Sequence, residues 1–83
     1  MAPSDDRIAA TLMALARARG AGKSFCPSEA ARALASDWRG LMPRIRRVAA
    51  DLPALRATQR GASVDPVTAR GPIRLSLREG AGR

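Results

Sequence analysis

Met42-Pro43-Arg44-Ile45-Arg46-Arg47-Val48-Ala49-Ala50-Asp51-Leu52 separates into two faces when turned at helical spacing. Ile45, Val48, Ala49 and Leu52 fall on one apolar stripe, and Arg44, Arg46 and Arg47 lie off it. Pro43 suits a first helical position, where its missing N–H costs nothing. Pro53 cannot continue the helix. The spacing predicts a short helix over residues 43–52, with one face for a core and the other for an anion. On that outer face Ala50, flanked by Arg46 and Arg47, leaves room for close approach to a groove. Arg44 is placed for a phosphate or a base. Asp51, four residues after Arg47, is spaced to hold it in an ion pair.

Working back toward the N-terminus, Ser4 is a good N-cap, and Asp5 and Asp6 put negative charge on the positive end of a helix dipole. Ile8, Leu12 and Leu15 then share one face, and Gly20 closes the segment behind Arg17 and Arg19. This gives a helix over 5–19. Gly20-Ala21-Gly22-Lys23-Ser24 resembles the end of a phosphate-binding loop. The glycine that loop needs five residues before Gly22 is Arg17, and the stretch follows a helix where that motif follows a strand. A turn and a short extended segment at Lys23–Phe25 are expected instead. Cys26-Pro27-Ser28-Glu29 opens a further helix over 27–35, with Glu29 in its first turn. Cys26 lacks a partner for chemistry and reads as a small hydrophobe. Ser36-Asp37 can cap a short turn carrying Trp38 and Leu41, and Trp38 is expected to wedge between helices.

Beyond residue 54 the period changes from helical to two. Leu55, Ala57 and Gln59 alternate with Arg56, Thr58 and Arg60, and Ile73, Leu75 and Leu77 alternate with Arg74, Ser76 and Arg78. Between them, Gly61 through Gly71 is rich in turn formers. Two strands, about 55–60 and 72–77, joined by a long loop, therefore form a hairpin with one apolar face. Arg56, Arg60, Arg70, Arg74 and Arg78 occupy its other face and its loop.

The totals narrow the function. The net charge is +8 over 83 residues. Residues 1–38 hold five Lys/Arg against four Asp/Glu, while residues 39–83 hold ten against three. That imbalance points the second half toward an anionic partner. Fourteen of the fifteen basic residues are Arg, but composition bias alone could produce that choice, so position is the better guide. There is no histidine and one cysteine, which excludes zinc-finger ligation, an internal disulfide and most hydrolase triads. We expect no enzyme, no cofactor and no metal. The acidic N-terminus does not read as a signal peptide, and no apolar run is long enough for a membrane span, so a cytoplasmic location is expected.

The α+β order, three helices and then a basic two-stranded hairpin, is that of a winged helix: a helix-turn-helix core followed by a β-hairpin wing, here one domain over 1–83. Cys26-Pro27-Ser28-Glu29-Ala30-Ala31-Arg32, Asp37-Trp38-Arg39, Leu41-Met42-Pro43, Thr58-Gln59-Arg60-Gly61, Val64-Asp65-Pro66 and Arg70-Gly71-Pro72-Ile73-Arg74 carry a further resemblance. Together they resemble the pattern of a small bacterial domain family of unknown function, across roughly residues 8–77. The resemblance implies a winged-helix-like fold and no particular activity. It departs at Pro53–Leu55, where it implies a glycine turn into the first wing strand. Several of these motifs also have a plain structural reading: Thr58-Gln59 and Asp65 can set hairpin geometry, and Gly71-Pro72 can fix entry to the last strand.

The leading expectation is binding of duplex DNA, as in a small transcriptional regulator, through Arg39, Arg44, Arg46, Arg47, Arg56, Arg60, Arg70 and Arg74. Single strands fit less well, because Phe25 and Trp38 are the only aromatic residues and both are expected to pack inside. The competing expectation is a protein-interaction module or homodimer, which requires an exposed apolar patch around Trp38, Leu41 and Met42.

Overall fold

Ser4 fulfils its capping role. In the computed structural model, which describes residues 2–78, its Oγ accepts the Arg7 amide at 3.1 Å. Such a cap contributes about 1 kcal/mol. From there α1 runs Asp5–Arg19, and Gly20 ends it at φ +87°. Ile8, Leu12 and Ala16, one turn apart, are fully buried along its inner face. The short extended segment forms as β1 (Ser24–Phe25), with Phe25 the largest fully buried side chain. Next, α2 (Pro27–Leu34) starts on proline, and the Glu29 carboxylate reaches back to accept the Cys26 amide at 3.1 Å. A 3₁₀ turn, Trp38–Leu41, leads directly into α3 (Met42–Ala50).

α3 is shorter at its C-terminal end than its apolar stripe suggests. Asp51 takes φ −88°, ψ 0°, and its amide tightens onto the Val48 carbonyl at 3.0 Å. The cause lies at Pro53, since a residue preceding proline is disfavoured in helical conformation and Leu52 must leave the helix. A turn closed by the Leu55 amide on the Leu52 carbonyl, 3.0 Å, then feeds β2 (Leu55–Gln59) without the expected glycine.

The two-stranded hairpin needs correction. β2, β3 (Ala62–Ser63) and β4 (Arg74–Leu77) join β1 in a four-stranded antiparallel sheet of order β1-β4-β2-β3. Leu55 pairs with Leu77 and Ala57 with Leu75, while Phe25 of β1 faces Leu75 from the other side. β3 arises inside the stretch read as loop. Arg60 (φ +53°) and Gly61 (φ +84°) form a two-residue turn that pairs Gln59 with Ala62, and positive φ at both positions is the type I′ signature. β4 begins at Arg74 rather than residue 72. Gly71 stands at φ +83°, and Pro72 has no N–H to give to a ladder.

The predicted alternation does hold where pairing is regular. Leu55, Ala57, Ile73, Leu75 and Leu77 are buried against Ile8, Leu12, Ile45, Val48 and Ala49 from the helices. Each large aliphatic side chain so buried contributes roughly 1.5–3 kcal/mol. Among the described residues no helix is long and apolar enough to cross a membrane.

Candidate nucleic-acid interface

Because Ile45, Val48 and Ala49 turn into the core, α3 must direct Arg44, Arg46 and Arg47 away from it. Their partners differ. Arg44 donates to Asp5 Oδ1 at 2.7 Å, and Arg47 meets the same carboxylate at 3.2 Å. The expected Arg47–Asp51 pair does not form, because Asp51 lies past the helix end while Asp5 stands beside Arg47. Asp5 is more than half exposed. The Arg44 hydrogen bond is the main reason its carboxyl is held below the usual aspartate range; desolvation opposes that shift, and the charges of Arg47 and Arg44 add to it.

Arg46 does something else. Its guanidinium donates to the carbonyls of Ala69, at 2.8 Å, and Gly71, at 2.7 Å, on either side of Arg70. One α3 side chain thus fastens the β2–β4 connection to the helix. Gln59 works from the strand side: its amide donates to the Arg70 carbonyl and, at 3.1 Å, to that of Pro72. Asp65 closes the turn that follows Val64 by accepting the Val67 amide at 2.8 Å. The structural readings of Gln59 and Asp65 are therefore borne out.

With the backbone of residues 69–72 held from both sides, by Arg46 and by Gln59, the connection presents an open cleft lined by Gln59, Arg60, Arg70, Gly71 and Pro72. Arg60 and Arg70 are exposed there, and neither forms an ion pair among the described residues. Of the expected site residues, the fold brings Arg46, Arg60 and Arg70 together at this connection and Arg44 and Arg47 together at Asp5.

The others are engaged elsewhere. Arg56 donates to Ser63 Oγ at 3.0 Å, binding β2 to β3. Arg74 donates to the Ser24 hydroxyl and carbonyl, at 3.0 and 2.9 Å, binding β4 to β1. These two stitch the sheet through the side chains that alternation alone left facing out. Arg39 lies over the Trp38 ring, and so does Arg32, which is not among the expected site residues because it lies on α2, away from the charged second half of the chain. Trp38 is half-buried at the rim of the core rather than enclosed in it.

Leu41 is buried, Met42 and Trp38 are half-buried, and the large exposed hydrophobic side chain among the described residues is Val67.

A family model described as a protein of unknown function (DUF3253) matches residues 5–78. No curated protein matches the chain.

Proposed function

The chain belongs to this family of unknown function, and from that premise we propose that it is a winged-helix protein that binds duplex DNA, with α3 at the major groove and the β2–β4 connection as the wing. The observation that carries this reading is the fastening of Ala69 and Gly71 by Arg46. It makes helix and connection one surface, so the Arg60 and Arg70 charges are held at a fixed offset from the exposed face of α3. Duplex DNA offers phosphates at regular spacing, and a rigid set of arginines matches such an array without ordering cost at each contact.

The roles divide accordingly. Arg60 and Arg70 meet phosphates directly. Arg46 positions the wing. Arg44 and Arg47 exchange the Asp5 carboxylate for phosphate oxygens, one charge-assisted acceptor for another. Ala50, exposed on α3, gives the backbone of the groove room to approach.

The test is an amide chemical-shift titration of the labelled protein with a short random-sequence duplex at low salt. Shifts should cluster on α3, on Arg60–Gly61 and on Arg70–Gly71. Shifts absent throughout, or confined to the outer face of α1, would contradict the proposal.

A further inference from the structure

We propose that Arg32, Trp38 and Arg39 form a phosphate-binding site of their own, built on α2 and the 3₁₀ turn rather than on α3 and the wing. The Cζ atoms of Arg32 and Arg39 each lie 4.5 Å from the centroid of the Trp38 ring. That ring packs against the core, so it is a fixed plate rather than a loose side chain. A guanidinium resting on an indole uses its π face and keeps its in-plane N–H fork for solvent or a ligand.

The two Cζ atoms therefore lie within twice that distance of each other, a spacing that neighbouring phosphates, or one phosphate at closer approach, can span. Neither arginine has an ion-pair partner among the described residues, whereas Arg19, Arg44 and Arg47 each find a carboxylate. Asp37, next to Trp38 in sequence, pairs with neither. The mutual repulsion of the two cations is thus left for an external anion to relieve. Phosphate fits better than carboxylate because it carries more charge and has enough oxygens to accept from both guanidiniums. The phosphate can be a free ion or a backbone phosphodiester, and the site does not depend on the role proposed for α3.

Trp38, the single tryptophan, reports directly on the site. Its emission would be followed as inorganic phosphate replaces chloride at constant ionic strength, and in parallel as a random duplex is added. A saturable change is expected, weakened about tenfold by Arg32→Gln or Arg39→Gln, the size of one charge-assisted contact. Arg32→Lys and Arg39→Lys should weaken it as well, since they keep the charge and lose the fork. Circular dichroism and melting temperature confirm folding, because both arginines are exposed. A response to free phosphate identifies the ion as sufficient; a response to duplex alone identifies the phosphodiester. Emission unmoved by either ligand, or moved equally in the double Gln variant, would overturn the site. The amide titration of the wing reads the other proposal separately, since it does not involve Trp38.

Discussion

Asp5 stands in the first turn of α1, where its charge suits the helix dipole, and it also takes the guanidiniums of Arg44 and Arg47. A carboxylate in that position competes with phosphate for both arginines. Asp5→Asn should therefore tighten DNA binding and steepen its salt dependence, read by anisotropy against the wild type. Weaker binding by the variant would mean that Asp5 positions these arginines instead. The same residue has a pH signature. Its folded pKa lies below the unfolded one, so its contribution to stability is complete above the ordinary aspartate value of about 3.9 and is lost as the pH falls through the lower folded value. Thermal melts through that acid range should show a smaller decline for Asp5→Asn than for the wild type. The sequence placed Arg44, Arg46 and Arg47 off the apolar stripe correctly. It could not name their partners, because residues 5, 69 and 71 are distant along the chain and helical spacing sees only neighbours.

At the scale of elements, the Arg60–Gly61 turn and the Arg46 fastening decide how rigid the β2–β4 connection is. Arg60 sits at φ +53°, a conformation that asparagine adopts more readily than arginine, and Asn-Gly is a preferred pair for this turn. Arg60→Asn should raise the melting temperature while removing one phosphate contact. A variant both more stable and equally tight for DNA would show that Arg60 makes no contact. Arg46→Ala removes two hydrogen bonds from a charged donor. It should cost about 1–2 kcal/mol in denaturant unfolding, with amide exchange accelerating at residues 69–71 while α1 is unaffected. Unchanged exchange there would deny the fastening. The long strands and all three helices were legible from period and capping residues. The extended segment that becomes β1 was legible too, but its pairing with β4 and the whole of β3 were not, because a two-residue strand has no period of its own and is defined by the partner it meets. The Arg-Gly turn also lacks the Asn or Asp that marks such hairpins in a sequence.

Across the whole molecule, a core rich in alanine and short of aromatics supports a surface with net charge +8. The order of elements showed where that charge would lie along the chain, and the packing then divided it. Arg56 and Arg74 are engaged within the sheet, Arg44 and Arg47 are held by Asp5, and Arg60 and Arg70 remain open at the β2–β4 connection. Composition could not make that division, since all of these residues count equally in a net charge. Duplex binding through Arg60 and Arg70 is tested most directly by equilibrium binding to a random duplex across a salt series, comparing wild type with Arg60→Ala/Arg70→Ala. Each phosphate neutralised contributes a slope of about −0.9 in the logarithm of affinity against the logarithm of salt concentration. Binding at low salt should fall steeply with salt in the wild type, with a slope shallower by about two such contacts in the variant. Absence of binding at low salt, or identical slopes for the two proteins, would contradict duplex binding through these two arginines.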